Sequence, residues 1–215
     1  MVREEIKNRA RQQMAEQGHV GLSLSAIARG MELTTPAMYR YYASRDDLIS
    51  ALIVDAYNSF ADALDAASKS LPERTYASRL TAVCLAYRDW AIAHKTDFGL
   101  IYGTPIPGYE GPPETSAAAQ RGALVLTDLF AAAVKEDAMP LAAIPDQLAR
   151  SIRETIQGYE GPPEIVYRFL SGWARLHGMV MLEVYNQTAF ILRDTEGFYR
   201  QEVAELVATS GIRDL

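Results

Sequence analysis

Residues 23–45, S-L-S-A-I-A-R-G-M-E-L-T-T-P-A-M-Y-R-Y-Y-A-S-R, constrain the fold more than any other stretch. They read as two short helices with a tight turn between them. Ser23 stands before the first, predicted over 24–29, where its hydroxyl can accept from the free amides of the opening turn. Leu24, Ile27, Ala28 and Met31 recur at helical spacing and give that helix its inward face. Thr34 is a second good cap. Pro36 falls in the first turn of the next helix, where a missing amide costs nothing. The second helix is predicted over 35–42, with Met38 and Tyr42 one turn apart and facing inward. Thr35, Pro36, Ala37, Tyr39 and Arg40 then look outward. Small residues let a helix end come close to base edges. A thymine methyl can pack on Ala37 or Thr35, and Arg40 can reach a guanine edge or a phosphate. A purely structural helix needs no such exposed cluster.

The flanks extend the pattern. Residues 3–16 carry Ile6, Ala10, Met14 and Ala15 along one helical stripe, and Gly18 ends that helix. Arg3, Lys7 and Arg11 lie four apart on one face. That face is solvated on the plain reading and touches phosphates on the functional one. Ser44 caps a long helix predicted over 45–68, with Leu48, Leu52, Ala56, Phe60, Ala63 and Ala67 in a near-continuous apolar stripe. Asp46 and Asp47 in its first turn complement the helix dipole. A helix of this length suits a strut joining a head to a body.

A net charge of −6 argues against nucleic acid only if the charge is evenly spread. Residues 1–47 hold seven basic and six acidic residues, and the remainder fourteen and twenty-one. A near-neutral head therefore sits on an acidic body. The single cysteine, Cys84, excludes an intramolecular disulfide and fits a reducing cytosol. Acids stand where a signal peptide would have a basic head, and no run approaches the ~18 apolar residues of a membrane span. A cytoplasmic protein with no membrane segment is expected. Three scattered histidines and one cysteine give no zinc or nucleophile spacing. The glycines of 108–111 follow no strand and precede no Lys-Ser/Thr pair, so they form no phosphate loop. No catalytic residue, metal or cofactor is expected.

With S-L-S-A-I-A-R, T-T-P-A-M-Y-R-Y-Y and S-R-D-D-L at this spacing, residues 1 to about 55 resemble the DNA-binding domain of the TetR/AcrR family of transcriptional regulators. The resemblance implies an all-α fold. It implies a three-helix head over 1–55 with a helix-turn-helix at about 23–42, a long connecting helix, and a ligand-binding and dimerisation domain over 56–215. It also implies that Ser23, Tyr39, Tyr41 and Arg45 hold phosphates while Thr35, Pro36, Ala37 and Arg40 approach the bases. Thr34 joins this DNA-binding set as the cap of the recognition helix. One position departs from the family. The turn usually has glycine two residues before the cap, and here Glu32 stands there, with Gly30 two residues earlier. A left-handed residue at 32 costs glutamate roughly 1 kcal/mol against glycine. An acid there also repels phosphate. Either the turn is re-formed around Gly30 or the head binds more weakly than its relatives.

The body reads as helices over 74–95, 96–102, 117–137, 146–157, 163–186 and 197–209, the fourth capped by Asp146. A Pro/Gly-rich loop spans 103–114 and a linker 139–145. G-Y-E-G-P-P-E occurs at 108–114 and again at 158–164, seven identical residues fifty apart with unlike flanks. Two turns that need the same chemistry before a helix is the plain reading, and a small local duplication the next. The segment 173–178, W-A-R-L-H-G, resembles the W-x-x-x-H-G signature of one TetR C-terminal subtype, and 100–109 resembles the loop of that subtype.

Tyr87, Trp90, Phe98, Tyr102, Phe169 and Trp173 can line an apolar pocket between helices, though aromatics at this spacing also suit a core. The resemblance implies a small-molecule effector there. His177 reads as a core histidine or a hydrogen-bonding group of that pocket, and less readily as the base of a small helical enzyme. The last two helices present more apolar face than one chain needs, which points to a homodimer through a four-helix bundle. The expected function is a ligand-responsive DNA-binding regulator, a repressor released from a palindromic operator by a small molecule. The alternative is a ligand-binding module with a weakened head.

Overall fold

The computed structural model describes residues 2–156 and 159–215, with the backbone alone at Val20. Among the described residues every regular element is helical. The order is α1 (Val2–Gln17), a 3-10 turn (His19–Gly21), α2 (Leu24–Gly30), α3 (Thr35–Tyr39), α4 (Arg45–Lys69), α5 (Tyr76–Ala93), α6 (Lys95–Tyr102), α7 (Pro113–Lys135), α8 (Asp146–Thr155), α9 (Pro163–Val184) and α10 (Thr195–Ser210). The all-α expectation holds. The helix read over 146–157 ends on a residue, Gln157, that lies outside the described set, as does Gly158. Asp146 is the first residue of α8, and Pro145 holds the cap position.

The described residues gather into two compact units. The first combines 1–59 with 93–120, and the second combines 60–92 with 121–215. The core of the first is built from α1 to α4. Ile6, Ala10, Met38, Leu48, Ile49 and Leu52 are buried completely or nearly so. The periodicity marks the inward face at Ile6, Ala10 and Met14 of α1 and at Leu48, Leu52, Ala56 and Phe60 of α4, whereas Ala15 is exposed, Ala63 and Ala67 are half-buried, and Leu64 is buried in their stead. The tyrosine stretch is shorter as a helix than the sequence suggests. Helix α3 ends at Tyr39, and Tyr41 and Tyr42 close the turn with amide bonds to the Met38 carbonyl. The chain then reaches Ser44, whose hydroxyl accepts from the Asp47 amide at 3.0 Å and starts α4.

Helices α2, α7 and α9 end alike. In each, two amides beyond the helix turn back onto its last-turn carbonyls: Leu33 to Ala28 and Glu32 to Arg29, Ala138 to Ala133 and Asp137 to Val134, Gln187 to Leu182 and Asn186 to Glu183. This closure needs one residue in the left-handed region, usually glycine. Here the three residues are Glu32, Asp137 and Asn186, with φ of 55°, 57° and 55°.

The described residues of the duplicated heptapeptide, 109–114 and 159–164, fold alike. Its second proline, Pro113 or Pro163, is the first residue of the following helix. The preceding proline carbonyl accepts from the Thr115 amide at 2.9 Å in one copy and from the Ile165 amide at 3.0 Å in the other. In both copies the tyrosine hydroxyl lies over the glycine two residues on. A Cβ on Gly111 would meet Tyr109 Oη at 3.6 Å, and one on Gly161 would meet Tyr159 Oη at 2.5 Å. The first copy is also tied to α4, with Tyr109 Oη 2.9 Å from Ser50 Oγ.

In the second unit the core runs through Leu80, Val83, Tyr87 and Trp90 of α5, Leu129 and Phe130 of α7, Ile165 and Val180 of α9 and Tyr199 of α10. Tyr199 Oη donates to the Cys84 carbonyl at 2.8 Å. Arg88 forks onto Glu183 at 2.7 and 2.6 Å, and Thr195 donates to the same carboxylate at 2.6 Å. These contacts pin α5, α9 and α10 together. By length and composition α7 is apolar enough to cross a membrane. Its middle carries Asp128 and Arg121, the latter bonded to Asp62 at 2.7 Å. Charges at mid-span are costly in lipid.

Candidate nucleic-acid interface and body cavity

The head presents two capped helices in tandem. Ser23 Oγ accepts from the Ala26 amide at 3.4 Å, and Thr34 Oγ1 from the Ala37 amide at 3.3 Å. The Ser23 amide donates to Gln13 Oε1 at 2.9 Å, which fixes the start of α2 against α1. Met38 and Tyr42 are buried, as their spacing requires. Thr34, Thr35, Pro36, Tyr39 and Arg40 are exposed and Ala37 half-buried. Tyr39 is 50% exposed despite its ring. Among the described residues Arg40 makes no ion pair or side-chain hydrogen bond. The outer surface of α3 is thus small at its leading end, with a phenol and an uncommitted guanidinium further on.

Two other members of the predicted set are placed differently. Tyr41 packs partly against the head core. Arg45 is clasped, with Nε donating to the Leu22 carbonyl at 3.2 Å and Nη2 to the His19 carbonyl at 2.8 Å. It anchors the start of α4 to the turn before α2, and its Nη1 lies 3.7 Å from Asp46. In the basic row on α1, Arg3 is exposed, as a solvated face requires, while Lys7 and Arg11 are drawn inward by carboxylates. Lys7 Nζ meets Asp55 at 2.5 Å and Glu4 at 2.7 Å, and Arg11 Nε meets Asp97 at 2.9 Å. Arg3 lies over the Tyr42 ring, 5.3 Å from its centre. A basic row alone cannot reveal this, because Asp55 and Asp97 are far away in sequence.

Glu32 decides the question about the turn. It is left-handed, so the turn keeps its usual geometry and is not re-formed around Gly30. It is also exposed, and among the described residues it makes no ion pair.

The second unit has a partly open cavity of about 380 Å³ among α5, α7, α9 and α10. Of the aromatic residues singled out from sequence, Tyr87, Phe169 and Trp173 line it. His177 stands one step behind, stacked on Trp173 at 4.6 Å and with Nδ1 2.5 Å from Tyr87 Oη. Burial lowers its pKa below the usual 6.5, so the ring is neutral near pH 7. Trp90 lies outside the wall, against Phe60 at 5.1 Å, and Phe60 also meets Tyr87 at 5.3 Å. Phe98 and Tyr102 belong to the first unit, their rings 5.3 Å apart. The wall also holds Glu164, Arg168 and Arg175 and the sulfur-bearing Cys84. Burial pushes the Cys84 thiol up to about 12, which leaves it unreactive. Among the described residues no three His, Cys, Asp or Glu side chains are grouped to hold a metal.

Comparison with known proteins gives this geometry a family. Residues 6–52 match the profile of the bacterial regulatory proteins of the tetR family. Residues 80–206 match that of the tetracyclin repressor-like C-terminal domain. The chain belongs to the TetR family. It is 34% identical over 182 residues to the HTH-type transcriptional regulator Rv1816 of Mycobacterium tuberculosis, covering 82% of this chain and 78% of the relative. The HTH-type regulator Mb1846 of Mycobacterium bovis gives the same values. The crystal structure of the regulatory protein SCO4313 superposes with a TM-score of 0.81 at 35% identity, covering 96% of this chain and 95% of that one. A tetR-family protein from Rhodococcus RHA1, at 15% identity and TM-score 0.70, shares the fold.

The molecule is therefore a DNA-binding transcriptional regulator, from a family of regulators and not of enzymes. The head residues predicted from sequence all lie within the N-terminal match, and the aromatic set within the C-terminal one. Three features of this TetR-family regulator escaped the sequence reading: the Gln13–Ser23 clasp, the carbonyl contacts of Arg45, and Arg168 in the cavity wall. None leaves a periodic signal, because each joins elements through a single side chain.

Proposed function

We propose that this TetR-family regulator is a homodimeric, cytoplasmic repressor released from a near-palindromic operator when a small apolar or aromatic molecule enters the body. Residues 1–55 act as the DNA-binding domain and 56–215 as the ligand-binding and dimerisation domain. The two heads occupy successive major grooves, with half-sites about one helical turn apart or somewhat more. Thr35, Pro36, Ala37 and Arg40 approach the bases. Ser23, Tyr39 and Tyr41 hold phosphates, and Thr34 caps the reading helix. Arg45 adds its charge to the same face. The uncommitted Arg40 on an otherwise small, exposed helix surface is the observation that carries this reading.

The effector binds beside Tyr87, Phe169 and Trp173, with His177 behind them. A chain of ring contacts supports coupling: Trp173 to His177, His177 to Tyr87, Tyr87 to Phe60. Phe60 lies on α4, which continues without a break back to Arg45. A ligand that displaces Trp173 or Tyr87 can therefore act on the helix that carries the head. Such couplings are typically ~1–3 kcal/mol. The molecule performs no chemistry of its own on this reading.

Footprinting on the DNA flanking its own gene tests the proposal. The expected result is a protected near-palindrome. Arg40→Ala should relax the preference at one position per half-site by about 1–3 kcal/mol. An unchanged preference would make Arg40 a phosphate contact. Failure to bind any genomic fragment at low salt would favour a second reading, a ligand-binding module with a weakened head. The exposed charge and strained backbone of Glu32 are what support that reading.

A further inference from the structure

We infer that the cavity of the second unit takes an apolar molecule ending in one anionic group, held by Arg168. The inference rests on the reading of this cavity as the effector site. Most of the wall is apolar or aromatic, including Tyr87, Phe130, Phe169, Trp173 and Leu206. Its hydroxyls are largely committed, since Thr209 Oγ1 donates to the Glu205 carbonyl and Ser210 Oγ to the Val207 carbonyl, both at 2.7 Å. Selectivity then falls to three charged side chains.

Arg175 is already neutralised. Its Nη2 lies 2.5 Å from Glu202 and 3.3 Å from Glu205. Arg168 is not. Its Nη1 donates to the Ser210 carbonyl at 2.9 Å and its Nη2 to the Pro140 carbonyl at 3.2 Å. Among the described residues it has no carboxylate within ion-pair distance. A guanidinium has five N–H donors, so most remain available. The two carbonyls fix the plane of the fork in advance, which lowers the ordering cost of a further bond. A cation in an apolar wall gains most from a partner that brings the opposite charge. Capping the end of α10 explains the Ser210 contact and tying down the 139–145 linker the Pro140 contact, but neither explains the position of Arg168 in the cavity wall. Glu164 lies one turn earlier on α9 and also lines the cavity. It opposes an anion, and its removal should therefore favour one.

The test uses decanoate and decanol, which share an apolar body and differ in charge at pH 7.5. Binding to the intact protein is read by quenching of tryptophan fluorescence, since Trp173 lines the cavity. Decanoate should bind at least about tenfold more tightly than decanol. Arg168→Met should remove the difference, and Arg168→Lys should keep part of it. Glu164→Gln should tighten decanoate and leave decanol unchanged. Equal affinity of the two probes, unaffected by Arg168→Met, would overturn the anion inference and leave the cavity standing as an apolar site. Binding of neither probe would overturn the cavity reading and this inference together. If Arg168→Met does not fold, Glu164→Gln decides, and failure to tighten decanoate counts against the proposal.

Discussion

Glu32 holds a backbone conformation that an L side chain with a Cβ resists, in a turn that lies against the reading helix. Its φ of 55° completes the closure of α2, so the strain is the cost of ending that helix where the fold requires. Glycine carries no such cost. Glu32→Gly should raise stability by about 1 kcal/mol in urea denaturation, at unchanged slope. It should also tighten DNA binding at low salt, because an exposed negative charge leaves the face. A variant no more stable than the parent would mean the turn is relaxed as it stands. Arg45 sits at the other end of the motif and combines two tasks. Losing it removes two bonds to buried-loop carbonyls as well as a charge. Arg45→Ala should weaken binding to all sequences alike, lower the salt slope by about one, and also lower the melting temperature. Loss of affinity with an unchanged melting temperature would assign Arg45 to phosphate alone.

At the scale of elements, most boundaries follow from local chemistry. Ser23, Thr34 and Ser44 each start a helix through their own hydroxyl. The two G-Y-E-G-P-P-E segments each start one through a proline at the first position, and the tyrosine leans back over the glycine in both. Common chemistry is enough to explain their common form. Helix packing is less forgiving. Gly122 of α7 lies against Phe60 of α4, and a Cβ there would stand 2.9 Å from the ring edge. Phe60 is only 5% exposed and cannot swing into solvent. Gly122→Ala gains helix propensity but overpacks this contact, so a net destabilisation of about 1–3 kcal/mol is expected. A stabilised Gly122→Ala protein would show that Phe60 has room to retreat.

For the molecule as a whole, the outer faces of α9 and α10 stand out. Tyr167, Leu170, Leu182 and Tyr185 on α9 and Phe198 on α10 are between 40% and 48% exposed. They recur at helical spacing, and Ala174 and Gly178 between them let another helix come close. Burying such a stripe against a second copy is the arrangement the proposed repressor needs. Leu182→Glu should convert the protein to a monomer of 23.8 kDa in sedimentation equilibrium and abolish operator binding, with helix content retained. A dimer that survives this change would place the interface on another face.

The sequence by itself determined the helical fold, the capped tandem helices of the head and the inward stripes of α1 and α4, because caps and periodicity are properties of a few adjacent residues. It also marked Glu32 as the odd residue of its turn. Only the tertiary structure decided that Glu32 is left-handed, that Lys7 and Arg11 turn inward to Asp55 and Asp97, and that Arg45 clasps the turn before α2. Only it placed Tyr87, Phe169 and Trp173 around one cavity with Arg168, with Trp90 outside the wall and Phe98 and Tyr102 in the other unit. Those outcomes depend on partners tens of residues away, and no spacing along the chain encodes which distant carboxylate, carbonyl or ring a side chain will meet.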